Sequence, residues 1–286
     1  ELYQASALVH DDIIDKADER RGMPTPHRTL ADHHANQSWI GSSTDFGRHS
    51  AILVGDFLFS AATAAADEQA LTLREDCARA FTRRFADMHA EVALGQYLDI
   101  TAEQTPLDPA RTDALSMSDS LEVALHKSAH YSVVHPALLG AICGASSFDG
   151  VATLLDVLET ILTPWGLAFQ LRDDDLGVFG DPAVTGKPAG DDLREGKRTA
   201  LLALTWEASS PDERRALTDV LGVAEASARQ IAAATEIVEC NGRAAHEAEI
   251  ARLVADGEAA LDTCDFDEDA RAMLRELCAI LTARRA

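Results

Sequence analysis

Asp11, Asp12 and Asp15 close an apolar helical pattern in "LVHDDIIDKADERRG", and Arg20 and Arg21 follow within reach. On a helix, Asp11 and Asp15 share a face one turn apart. Two carboxylates so placed suit a hard cation such as Mg²⁺, which prefers oxygen ligands and commonly shares them with substrate phosphates. A solvated acidic helix end is the plainer reading. It is the less comfortable one, because the helix dipole is already negative at that end.

A second group, Asp173, Asp174 and Asp175, ends another apolar run in "FQLRDDDLGVFGD". Crowded carboxylates lose solvation and repel one another, so two such groups in similar settings call for a compensating cation. Two helices facing each other would hold metal ions between them, with a diphosphate as the remaining ligand. Positive side chains lie near both groups in a chain of net charge −23: Arg20 and Arg21, Lys127 in "LHKSAH", Lys187 in "TGKPAGDD" and Lys197 in "REGKRT". Arginine forks match phosphate oxygens and lysine supplies a point charge, although each could equally pair with a neighbouring aspartate.

The elements that must position these residues are helices. Across 286 residues, 47% hydrophobic but only 5% aromatic, the apolar residues recur with helical rather than alternating period. Helices are expected from Leu2 to Lys16, through "FGRHSAILVGDFLFSAATAAADEQA", through "LREDCARAFTRRFADMHAEVALGQYLDITAE", around Lys127 with an interruption at Pro136, and through "VATLLDVLETILTPWGLAFQLRDDDLG" with a kink at Pro164. "RRGMPTPHRTLADHHANQSWIGSSTD" reads as loop, with His33 and His34 solvated in it. No repeat or linker divides the chain, so a single-domain, all-α helical bundle around a central cavity is expected.

The acidic surface lacks the basic footprint of a nucleic-acid binder and argues against adhesion to anionic lipid. No apolar run reads as long and uncharged enough for a membrane span. Cys77, Cys143, Cys240, Cys264 and Cys278 are scattered without a CxxC spacing, which predicts buried, reduced thiols in a cytoplasmic protein, Cys143 among them as core packing. There is no GxxxxGK[ST], GxGxxG or HExxH motif. His126 and His130 share a helical face, but no third ligand is evident beside them.

Taken together, "LVHDDIIDKADERRGMPT", "GQYLDI", "HKSA", "FQLRDDDLGVFGD" and "TGKPAGDDLREGKRT" resemble the trans-isoprenyl diphosphate synthases, the polyprenyl synthetase family. The resemblance runs from near residue 1 to about residue 200. It implies a prenyltransferase, commonly a homodimer, that joins isopentenyl diphosphate to an allylic diphosphate with several Mg²⁺ ions as cofactor. By that resemblance Asp11 and Asp15 ligate metal with Asp12 in support. Arg20 contacts the allylic diphosphate and Arg21 the isopentenyl diphosphate. Lys127 grips the allylic diphosphate beside Ser128. Gln96 and Asp99 form a pair at the pocket, with Asp99 counted among the metal carboxylates. Gln170 precedes the second motif, in which Asp173 is the metal ligand with Asp174 beside it, and Lys187 and Lys197 clamp diphosphate.

Ser6 and Ala7, five and four residues before Asp11, are small, and Tyr3 lies one turn further back, so these three are expected to set product length, with geranylgeranyl diphosphate the expected product. Two departures accompany the resemblance. Position 177 is Gly where the family's DDxxD has a carboxylate, and Asp175 or Asp181 is the expected substitute. The family's first helices and its Gly-Lys-Arg segment are expected upstream of Glu1. A synthase-like non-catalytic subunit and a class I terpene cyclase are the alternatives, and the second aspartate group with its TGK loop favours the synthase over the cyclase.

Overall fold

The computed structural model describes residues 1–181, 190–223 and 225–283, and Lys187 lies outside them. Among the described residues the fold is all-α apart from one hairpin of two two-residue strands. It forms two compact units, one built on residues 1–73 and the other on residues 74–181 together with 190–283.

Unit 1 contains α1 (Leu2–Ile14), the strands β1 (Glu19–Arg20) and β2 (Met23–Pro24), α2 (Pro26–Asn36) and α3 (Ser43–Ala70). The stretch read as loop is therefore mostly structured. Arg21 and Gly22 both have positive φ, +54° and +72°, as a two-residue hairpin turn that matches strand twist requires. That turn pairs Arg20 with Met23 and fixes where Arg20 points. Pro26 opens α2 at the one place where its missing N–H costs nothing. Thr25 before it is buried and donates to the carbonyl of Ala17 at 2.8 Å, tying α2 to the end of α1. His34 corrects the expectation of a solvated pair: it is buried, with Trp39 and Phe46 against its ring, whereas His33 is exposed. Ser42 caps α3 by accepting from the N–H of Asp45.

Unit 2 contains α4 (Glu75–Gln104), a short 3₁₀ turn (Thr112–Ala114), α5 (Met117–Ala124), a π-helix (Leu125–Val134), α6 (His135–Gly144), α7 (Phe148–Phe179), α8 (Asp191–Glu195), α9 (Ala200–Ala208), α10 (Pro211–Thr218), α11 (Ala228–Asn241), α12 (Arg243–Asp262) and α13 (Glu268–Thr282). At its centre is α7, which runs through Pro164. Ile161, Leu162 and Trp165 beside the proline are fully buried, and their packing holds the turn that Pro164 weakens. Trp165 donates to the carbonyl of Val254 on α12, and Trp206 of α9 to that of Arg111. Pro136 marks the change from π-helix to α-helix instead of ending the segment.

By length and composition α3 and α7 are long and apolar enough to cross a bilayer, which corrects the reading that no run is. For α7 the apolar residues instead form the core of unit 2. Cys77 and Cys278 are buried as expected, and Cys240 is exposed.

Candidate active site

The first aspartate group belongs to unit 1. Asp15 caps α1, one turn beyond Asp11. Asp12 is buried, and Arg20 reaches back from β1 to hold it: Nε donates to Asp12 Oδ1 at 2.6 Å and Nη2 to Asp11 Oδ2 at 3.2 Å. Burial opposes the charge on Arg20, but Asp12, with Asp11 and Asp15 behind it, outweighs burial and raises the guanidinium pKa further. Arg20 is thus a fixed cation at the mouth of this carboxylate group. Arg21, at the hairpin turn, is exposed. Upstream on α1, Ser6 is buried and donates to the carbonyl of Gly55 on α3 at 2.8 Å. Tyr3 lies edge-on to Phe59 of α3 with ring centroids 6.3 Å apart, and Ala7 is half-buried.

In unit 2 three helices meet around the second group. Gly95 lets α4 approach the π-helix closely: a Cβ there would lie 2.3 Å from the Lys127 backbone nitrogen. That contact sets Lys127 opposite Asp99, and Lys127 Nζ donates to Asp99 Oδ2 at 2.5 Å. Both groups are largely withdrawn from water, with side chains 21% and 9% exposed. π-Helical turns of this kind often occur at functional positions. Ser128 is half-buried on the same turn. Gln96, half-buried one turn before Asp99 on α4, has an Nε2 without a hydrogen-bond partner among the described residues.

On α7, Gln170 Nε2 donates to Asp174 Oδ1 at 2.8 Å. Asp174 is buried, and its pKa is driven well above the ordinary carboxylate range, first by burial and then by the charges of Asp192, Asp173 and Asp99, against the hydrogen bond from Gln170. Like charges of this density fit a hard divalent cation, for which an all-oxygen donor set is the ordinary one. Lys197 lies 3.4 Å from Glu195 Oε2, just after α8.

Asp175 does not supply the carboxylate that Gly177 lacks. It is buried and committed elsewhere, accepting from Arg243 Nε at 3.0 Å and Nη2 at 3.3 Å. The space that a side chain at 177 would fill is instead taken by Asp192 of α8. A Cβ on Gly177 would lie 2.0 Å from Asp192 Oδ2 and 2.3 Å from its Cγ. Asp192 is the residue that the sequence reading missed. Its signal was present in "PAGDDL", where glycine precedes two aspartates at the start of a helix, but only the fold brings it to α7.

The family profile described as Polyprenyl synthetase matches residues 1–238. The chain is 30% identical over 241 residues, 83% of its length, to a geranylgeranyl diphosphate synthase of Saccharolobus solfataricus, and 31% identical over 223 residues, 78% of its length, to a geranylfarnesyl diphosphate synthase of Aeropyrum pernix. It spans 63% and 60% of the lengths of those two relatives. Among solved structures, a geranylgeranyl pyrophosphate synthase of Corynebacterium glutamicum, complexed with isoprenyl diphosphate and magnesium, superposes with a TM-score of 0.88 at 39% identity, covering 99% of this chain and 77% of that one.

Proposed function

The chain belongs to the polyprenyl synthetase family, and we propose that it makes a linear all-trans polyprenyl diphosphate, geranylgeranyl diphosphate, by joining isopentenyl diphosphate head to tail to an allylic diphosphate. The observation that carries this reading is the gathering of Asp173 and Asp192 with the buried Asp99 and Asp174, where burial and then the neighbouring like charges raise the Asp174 pKa well above the ordinary carboxylate range. Asp11 and Asp15 in unit 1 and Asp173 and Asp192 in unit 2 are the residues to hold Mg²⁺, which when bound neutralises the departing diphosphate. Arg20 in unit 1 and Lys127 in unit 2 each offer a fixed positive charge suited to diphosphate oxygens, and Lys187 and Lys197 follow the second aspartate group in sequence. Asp12 and Gln170 orient Arg20 and Asp174 respectively. None of the aspartates needs to act as a nucleophile, because ionisation of the allylic carbon–oxygen bond creates the electrophile and the double bond of isopentenyl diphosphate attacks it.

Product length is assigned to Tyr3, Ser6 and Ala7 on α1, because the residues five and four before Asp11 are small and Tyr3, one turn further back, offers a deeper floor. The two relatives above are named for geranylgeranyl and geranylfarnesyl diphosphate, products long enough to fit that reading. Exposed apolar side chains on α3 (Ile52, Leu53 and Phe57) and on α4 (Leu94 and Tyr97) support a homodimer. A cytoplasmic location accords with the free thiols.

Titration with farnesyl thiodiphosphate, a slowly ionising allylic analogue, tests the assignment. Binding is expected to require Mg²⁺ and to weaken at least about tenfold in Asp11→Asn and in Asp173→Asn. Equal binding with and without Mg²⁺ would refute it. Tight analogue binding together with no elongation of farnesyl diphosphate itself when isopentenyl diphosphate is added would favour the non-catalytic subunit.

A further inference from the structure

A second cluster of ligating side chains lies on α4 and the π-helix, away from the aspartates. Glu91 stands eight residues before Asp99 on α4, about 12 Å along the helix axis. Three imidazoles converge on its carboxylate. His126 Nδ1 and His130 Nδ1 each lie 2.6 Å from Glu91 Oε1, and His135 Nε2 lies 2.8 Å from Oε2. His126 and His130 come from one turn of the π-helix and His135 from the start of α6. This is the partner set that the sequence reading could not find for His126 and His130.

We propose that Glu91, His130 and His135, with His126 as a fourth donor, form a binding site for a transition-metal ion of the zinc class. Three observations carry it. First, one ligand atom from each of Glu91, His130 and His135 lies within 4.8 Å of the others. Donors around a tetrahedral zinc are about 3.4 Å apart, given metal–nitrogen distances near 2.1 Å. The cluster therefore closes on an ion by side-chain shifts of about 1 Å. Second, the donor chemistry is imidazole-rich with a single carboxylate, the set that borderline ions take and magnesium does not. Third, burial is graded. The His135 side chain is 6% exposed, that of His130 16% and that of His126 33%, so the site is walled on one side and open to entry on the other.

The metal-free arrangement requires every one of the three rings to carry its proton on the nitrogen facing Glu91. An ion replaces those protons. Nothing among the described residues fixes the tautomer of His135 from behind, since its Nδ1 has no hydrogen-bond partner. A bound ion would staple α4 to the π-helix at His126, the residue next to Lys127.

Cobalt titration of the EDTA-treated chain tests the proposal. The expected result is saturation at a single equivalent of Co²⁺, with the intense visible bands of four- or five-coordinate cobalt and no thiolate charge-transfer band. Zn²⁺ should displace them. Glu91→Gln and His130→Gln should each weaken Zn²⁺ binding by more than about 100-fold, while Asp11→Asn and Asp173→Asn leave the bands unchanged. At about a hundredfold excess of Zn²⁺ over its dissociation constant, Tm should rise by about 4 °C. Weak octahedral absorption alone, a thiolate band, or bands that survive in Glu91→Gln would overturn the site. Absence of saturable bands in the unmodified chain overturns it without any variant.

Discussion

Substitution of Gly177 by Ala should weaken magnesium binding through a residue in another helix. The new Cβ would stand 2.0 Å from Asp192 Oδ2, 2.3 Å from Cγ and 2.6 Å from Oδ1. Ordinary contact begins near 3.4 Å, so the carboxylate must retreat by about 1.4 Å or α7 must move away from α8. Asp192 sits in the first turn of α8, just after Gly190 with φ +74°, so the short helix is the side that yields. Overpacking of this size costs about 1–3 kcal/mol, which corresponds to about 2–5 °C in Tm for a chain of this length. The functional loss should be of similar size, because displacing one ligating group by about 1 Å reduces affinity or rate by about 10–100-fold, or about 1.4–2.7 kcal/mol.

The assay is the Mg²⁺ dependence of analogue binding or turnover, with circular dichroism melts alongside. In an Asp192→Asn background the same glycine substitution should lower apparent Mg²⁺ affinity by no more than about twofold, since the group it displaces is already gone. Gly177→Asp, which restores the DDxxD spacing, should be worse than Ala when Asp192 is present and better than Ala when Asp192 is Gly. A Mg²⁺ titration of Gly177→Ala that overlays the unmodified chain would refute the assignment of Asp192.

Lys127→Met should leave Asp99 buried without its cation and destabilise unit 2 by about 3 kcal/mol, and adding Asp99→Asn should recover most of that in a urea titration; no recovery would mean the pair is not the cause. Acid stability should carry the mark of His246, which is fully buried and whose pKa burial lowers from 6.5 to about 4. The unfolded chain takes up that proton first as pH falls, so stability is intact above pH 6.5 and declines by up to about 3 kcal/mol between pH 6.5 and 4. His246→Leu should flatten that part of the curve, and an unchanged slope in urea melts across this range counts against it. Tyr3→Ala should lengthen the products separated by chromatography, and an identical distribution removes Tyr3 from length control.

What the sequence could and could not tell follows from the range of each interaction. The aspartate groups stand out in the sequence because their spacing within one helix places them together, whereas Gln170 and the role of Lys127 follow only from the family resemblance. Arg20 was legible as a neighbour of Asp11, and only the hairpin turn at Arg21 and Gly22 explains why it points back. The loop reading of residues 20–45 failed because Pro24, Pro26 and Gly22 were weighed as breakers, when Thr25 followed by Pro26 is also a helix start. Asp192 could not be read at all from spacing, since its place depends on an empty volume at Gly177 on another helix. Glu91 was equally hidden, being separated from His126 by 35 residues and from His135 by 44. The near contact at Gly95 that joins those helices leaves only a single glycine in the sequence.

The most direct measurement is a condensation assay on the unmodified chain with labelled isopentenyl diphosphate, farnesyl diphosphate and Mg²⁺, followed by separation of the prenyl alcohols after phosphatase treatment. The account predicts Mg²⁺-dependent formation of all-trans geranylgeraniol with one diphosphate released per isopentenyl unit added, abolished by EDTA. Label left wholly in isopentenyl diphosphate, or a cyclic hydrocarbon formed from farnesyl diphosphate alone, would contradict it.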